Sequence, residues 1–139
     1  MNVNNHRISP SMVVRGEGAW NKSLDIVTKL CKRPLIIGRS NSTKKIRISL
    51  KKDLILKDIE PFFLELHHDC CEVDIKNAYR FSKNNNCDGI IAAGGGKVLD
   101  AGKLIADLLG ITCITVPLSA STCAGWTALS NIYTPDGKF

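Results

Sequence analysis

The run Asp88-Gly-Ile-Ile-Ala-Ala93, then Gly94-Gly95-Gly96-Lys97, then Val98 through Gly110, decides the fold. Its first six residues form a short apolar stretch, the mark of a buried strand. Three consecutive glycines follow. Beyond them Val98, Ala101, Gly102, Ile105 and Leu109 recur at helical spacing on one side, with Asp100, Lys103 and Asp107 on another. Gly110 stands where a helix stops. A strand running through glycines into a helix is a βα junction, and ligands of open α/β sheets bind at the carboxyl ends of such strands.

The same alternation continues outward in both directions. Leu24, Val27 and Leu30 predict a helix over 18–31, and Pro34-Leu-Ile-Ile-Gly38 predicts a buried strand. The basic segment 42–57, with Ile46, Leu50 and Leu54 on one face, predicts the next helix. Pro61 to Leu66 reads as a second strand, and 72–86 as a helix with Ile75, Ala78, Tyr79 and Phe81 inward. After Gly110, Ile111 to Val116 is another β-branched strand, closed by Pro117. Leu129 to Thr134, followed by Pro135-Asp-Gly137, reads as a strand entering a turn. The expected fold is therefore α/β: a Rossmann-like parallel sheet with helices on both faces, ending in the start of a β-hairpin. Residues 1–139 are expected to be one dinucleotide-binding domain, and the ending straight after a turn reads as an interruption.

The glycine junction carries the chemistry. With no Cβ in the way, a ligand approaches the backbone closely, and the helix behind it presents free N–H groups and a positive dipole end. Phosphate or pyrophosphate fits such a site. Two common motifs fail: GxGxxG needs glycine where Leu99 stands, and a P-loop needs glycine at Ile91 and a hydroxyl at Val98. A tight turn without a ligand is the plain alternative, although a single turn rarely needs three consecutive glycines.

The chain has 139 residues, 44% hydrophobic and 23% charged, which is ordinary for a globular domain. No apolar run is long enough for a membrane span, and MNVNNHRISP has no signal-peptide core, so a cytoplasmic address and no membrane partner are expected. Six cysteines without CxxC spacing then read as reduced thiols. The net charge of +6 comes largely from the basic helix over 42–57. No aromatic residue is interleaved there, so a solvated helix face is expected rather than a nucleic-acid surface. His67-His-Asp-Cys-Cys-Glu72 invites a metal reading, but consecutive residues in extended chain point apart. Asp69 and Glu72 have capping-box-like spacing, so a helix cap is preferred.

Gly94-Gly-Gly-Lys-Val-Leu-Asp100 with Ala101 to Asp107 resembles the GGGKxxDxxKxxAD signature of glycerol dehydrogenases. Val116-Pro-Leu-Ser-Ala-Ser-Thr122 is similar to their (I/V)PTxAST loop, and Ala128 to Phe139 to their SALSVIYxxDGxF segment. Val14-Arg-Gly-Glu-Gly-Ala19 resembles their N-terminal QGxGA segment. Three motifs in order at matching spacing identify the chain as resembling the iron-containing alcohol dehydrogenase family, loosely before residue 88 and closely after it.

The resemblance implies a metal-dependent alcohol or polyol dehydrogenase that moves hydride between a hydroxyl carbon and NAD or NADP. It implies that Gly94, Gly95, Gly96 and Lys97 hold the pyrophosphate and that Asp100 lies near the nicotinamide ribose. It implies that Leu118, Ser119, Ser121 and Thr122 wrap the ribose and phosphates, and that Thr127, Leu129 and Tyr133 line the nicotinamide pocket. From its type alone, Tyr133 reads better as a half-buried strand aromatic. Leu118 stands where the family usually has Thr, and Cys123 where it has an Asp that contacts the polyol. A thiol is a poor substitute for a carboxylate acceptor, so the substrate is a polyol or related hydroxy compound, with glycerol itself in doubt. Arg39 occupies the strand end where the family usually has an acidic ribose contact; it is either a plain surface arginine or a partner for a 2′-phosphate. The implied zinc or iron is held by one Asp and two His that match no residue here, and the family's C-terminal helical domain is absent from these 139 residues. The chain alone is therefore expected to be inactive, with a homo-oligomer left open for a longer form. The alternatives are a non-catalytic nucleotide-binding remnant and a lyase similar to dehydroquinate synthase.

Overall fold

The structure is a computed structural model that describes residues 9–138. Four helices alternate with four strands: α1 (Ala19–Leu30), β1 (Pro34–Gly38), α2 (Asn41–Ile55), β2 (Phe62–Glu65), α3 (Glu72–Asn84), β3 (Gly89–Gly94), α4 (Gly96–Leu109) and β4 (Thr112–Pro117). A single 3-10 turn over Ala124–Trp126 follows. All strands pair in parallel in the order β2-β1-β3-β4. The two central strands are buried throughout, whereas β2 and β4 at the edges are half-buried for most of their length.

Alternation along the central strands builds the two apolar layers. Leu35 and Ile37 pair with Ile90 and Ala92 and face α3 and α4, where Ile75, Ala78, Leu99, Ala101 and Ile105 complete one core. Ile36 and its neighbour Ile91 face the other way, onto Leu24 and Val27 of α1 and Leu54 of α2. Helices thus cover both faces, as expected for strands that read as continuous apolar runs. Truncating a fully buried side chain such as Ile90 or Leu99 to alanine costs about 2–5 kcal/mol. Helix α4 lies unusually close to the sheet: a Cβ at Gly102 would stand 2.4 Å from the Ala92 Cβ. It stops at Gly110, whose φ of 66° suits glycine.

Several expectations shift at the level of side chains. On α2 the inward stripe is Arg47, Leu50 and Leu54, and Ile46 is exposed. Arg47 is fully buried: its guanidinium donates to the Ser40 carbonyl (3.1 Å) and the Thr43 hydroxyl (2.6 Å) and pairs with Glu65 (3.1 Å), while its Nε has no hydrogen-bond partner among the described residues. Its stem lies where a Cβ at Gly38 would be, which explains that glycine. Leu30 is exposed, and Tyr79 and Phe81 are only half-buried, because Asp74, Ile75, Ala78 and Ser82 form the inward stripe of α3. The Asp69/Glu72 cap does not form. The N-cap of α3 is Cys71, without a side-chain cap, and Asp69 is engaged by cations elsewhere. Residues 129–134 form no strand: Tyr133 makes a single parallel bridge to Cys71. The turn at 135–137 does form, with Thr134 and Lys138 bonded across it. No helix among the described residues is long and apolar enough to cross a membrane.

Candidate functional site

The strand order places a switch point between β1 and β3. From β1 the chain leaves through α2 toward β2, and from β3 it leaves through α4 toward β4, so the two exits diverge and open a crevice at the carboxyl ends. A cavity of about 500 Å³ lies there, lined by Arg39, Ser40 and Thr43 from the β1 side, Leu66 and His68 after β2, and Gly94 to Val98 after β3. Arg39, Lys97 and the three glycines, singled out from sequence at separate places, meet in this crevice.

The glycines are not equivalent. A Cβ at Gly94 would press on Val98 at 2.9 Å, and one at Gly96 would meet the Thr122 hydroxyl at 2.6 Å. Protein packing accounts for both. A Cβ at Gly95 would meet only the Ser119 Cβ, at 3.9 Å, and φ there is an ordinary −80°. Neither strain nor crowding explains Gly95, whose open face lines the cavity beside Gly94 and Gly96. The first helical bonds run from the N–H groups of Val98 and Leu99 to the Gly95 carbonyl, and no side chain caps the helix. The amides before Val98 therefore belong to the helix's free positive end.

The cations of the crevice share one anion. Arg39 and Lys97 both pair with Asp69, which is largely buried after β2, and the Lys97 ammonium also lies over the Tyr133 ring, 4.6 Å from its centroid. Two positive charges against one negative leave an excess at the mouth of the helix dipole, suited to a phosphate. Sequence reasoning missed His68 as a wall residue and Asp69 as the partner of the two cations. The signal was available: each follows the carboxyl end of a strand, the position from which open sheets build their sites.

The loop after β4 closes over the junction. The N–H of Leu118 donates to the Gly94 carbonyl (2.9 Å), and the Ser119 and Ser121 hydroxyls bond each other (2.7 Å). The Thr122 hydroxyl accepts from the Ala124 N–H (3.0 Å). The other expected residues lie apart from the cavity. Thr127 lines a separate groove with Trp20 and Thr115, Leu129 is 79% exposed, and Cys123 is exposed at the start of the 3-10 turn. Asp100 is buried and already employed: its carboxylate pairs with Lys103 (2.9 Å) and accepts the Asn131 N–H (3.2 Å). Lys103, unremarked in the sequence beyond its helix face, also donates to the carbonyls of Ala124 (2.9 Å), Thr127 (3.0 Å) and Leu129. The Asp100–Lys103 pair thus ties 124–131 to α4. All six cysteines are unpaired. Burial pushes the thiols of Cys31 and Cys113 up to about 11 and that of Cys70 to about 12, so these three are protonated and unreactive at neutral pH.

Residues 10–139 match the family described as iron-containing alcohol dehydrogenase. The chain belongs to the iron-containing alcohol dehydrogenase family. It is 36% identical over 135 residues to an oxidoreductase of Synechocystis sp., covering 95% of this chain and 34% of that protein. To a glycerol dehydrogenase of Escherichia coli it is 30% identical over 135 residues, 94% of this chain and 36% of the relative. Among solved structures, an iron-containing alcohol dehydrogenase superposes with a TM-score of 0.75 at 23% identity, over 84% of this chain and 38% of that one. The glycerol dehydrogenase of Schizosaccharomyces pombe gives 0.67 at 26% identity, over 86% and 30%. The chain thus spans about a third of the length of the relatives it matches. Members of this family are oxidoreductases that bind NAD(P) and a metal. The crevice fits the nucleotide, since Gly95 leaves an open cradle between two cations. It does not supply the implied metal set of one Asp and two His. Among the described residues the one group of donors close enough to share an ion is His68, Cys71 and Asp74.

Proposed function

We propose that these residues are the nucleotide-binding part of an NAD(P)-dependent, metal-dependent alcohol or polyol dehydrogenase acting in the cytoplasm. The observation that carries this is Gly95, an open-faced glycine at a helix N-terminus, between Arg39 and Lys97 at the switch point of a parallel sheet. The nucleotide, when bound, supplies the carrier for hydride taken from or given to a hydroxyl carbon. Gly94, Gly95 and Gly96 admit the pyrophosphate to the free amides, Lys97 adds a point charge, and Ser119, Ser121 and Thr122 offer hydroxyls across the cleft. Leu118 contributes its backbone, whose bond to Gly94 fixes the loop. Asp100 acts by holding 124–131, the segment that carries Thr127 and Leu129, and Tyr133 reaches the crevice through Lys97. Cys123 would face a polyol or related hydroxy compound.

Arg39 leans the cofactor choice toward NADPH, accepted beside or ahead of NADH. A guanidinium pairs with a 2′-phosphate where a carboxylate would repel it. Asp69 competes for that guanidinium, so the preference is modest. The test is calorimetric titration with NADH and NADPH of the wild type and Gly95→Val. We expect weak binding that the valine abolishes, because its side chain fills the space the pyrophosphate approaches. Equal binding by both proteins overturns the proposal.

A further inference from the structure

His68, Cys71 and Asp74 straddle the start of α3 at intervals of three, and their donor atoms lie within 4.8 Å of one another. In an extended chain the residues of 67–72 would diverge. The helix turns Asp74, at its third position, back beneath the preceding loop, and the ligand set becomes a different one from that suggested by adjacency. We propose that His68, Cys71 and Asp74 bind one zinc-class divalent ion through an imidazole nitrogen, a thiolate and a carboxylate oxygen.

The geometry needs little change to close. Zinc bonds of about 2.0–2.3 Å set tetrahedral ligand atoms about 3.3–3.8 Å apart, and His68 Nδ1 lies 3.2 Å from Asp74 Oδ1. Asp74 is already oriented: its Oδ2 accepts the N–H groups of His67 (2.8 Å) and His68 (2.7 Å), which directs Oδ1 toward the imidazole. Such outer bonds hold a ligand carboxylate in place. The Cys71 side chain is fully buried at the N-cap of α3 and makes no hydrogen bond among the described residues. His68 is half-exposed on the crevice wall, giving the ion an entrance and leaving its fourth position to water. The nearby cations Arg39 and Lys97 are both paired with Asp69. A mixed nitrogen, sulfur and oxygen set suits zinc rather than magnesium or calcium. Binding releases the thiol proton to solvent. The ion would lock 67–71, the segment that carries Asp69, to α3. Without it, the contact between His68 and Asp74 uses two of the three side chains and leaves the thiol idle.

The test uses the purified 139-residue chain, stripped with chelator and titrated with Co²⁺ and with Zn²⁺ against a chromophoric chelator. The proposal requires one equivalent bound, with tetrahedral visible bands and a thiolate-to-cobalt charge-transfer band. Cys71→Ser should lose that band, and His68→Ala should weaken zinc binding at least about tenfold. Because His68 is half-exposed, its variant keeps the test informative if the cysteine variant fails to fold. Cys87→Ser, at a cysteine outside the three-residue set, should leave cobalt and zinc binding unchanged. No stoichiometric binding by the wild type, a charge-transfer band surviving in Cys71→Ser, or His68→Ala binding zinc like the wild type would each overturn it.

Discussion

At Gly95, Gly94 and Gly96 the same residue type serves two purposes, and substitution separates them. Gly95→Ala meets only ordinary contact with Ser119, so the fold should tolerate it within about 0.5 kcal/mol. Gly94→Ala and Gly96→Ala push into Val98 and Thr122 and should each cost about 1–3 kcal/mol. Urea denaturation of the three variants checks this order; a Gly95→Ala as unstable as the other two would mean that Gly95 is structural. Arg39 supports a second expectation. Arg39→Asp removes a charge-assisted contact worth about 1.5–3 kcal/mol and adds a repulsive one, so NADPH affinity should fall by one to two decades relative to NADH. If wild type prefers NADH and the substitution leaves the ratio unchanged, Arg39 has no part in cofactor choice.

Among elements, legibility followed the physics of burial. Strands β1 and β3 and helix α4 were evident because both faces of the sheet and one side of the helix are apolar, and their observed limits fall within a residue or two of the expected ones. Arg47 was not legible. An arginine on an apolar stripe looks like a solvated one until Glu65, from the next strand, and the Ser40 carbonyl are seen to receive it. Asp69 was misread for a similar reason: its partners Arg39 and Lys97 lie about thirty residues away in either direction. The last segment depends on one contact of this kind. Lys103→Met leaves the buried Asp100 carboxylate without its ion pair and three carbonyls without their donor, a loss of about 3–5 kcal/mol. Hydrogen exchange should then accelerate across 124–131 while β1 and β3 remain protected. Unchanged protection of that segment would show that Lys103 does not hold it.

For the whole molecule, stability should depend on pH through the buried thiols. Cys31, Cys70 and Cys113 stay protonated in the folded state well above the ordinary thiol value of 9.0, whereas the unfolded chain ionises there. Above that pH the folded state holds more protons, so stability falls as pH rises through 9 toward 11 and is insensitive to these groups below about 8. Denaturation midpoints at pH 7, 8 and 10 check the sign. The fold class was legible in the strand and helix periods, and the crevice at the switch point in one glycine junction. Where Thr127, Leu129 and Cys123 lie relative to that crevice was not, because no periodic pattern orients a loop. The most direct test of the central claim is to follow backbone amides by nuclear magnetic resonance while NADPH is added. The amides of Gly95, Gly96, Lys97 and Ser119 should shift first and furthest, together with Arg39. Shifts confined to the groove beside Trp20 and Thr115, with the glycine junction unmoved, would contradict it.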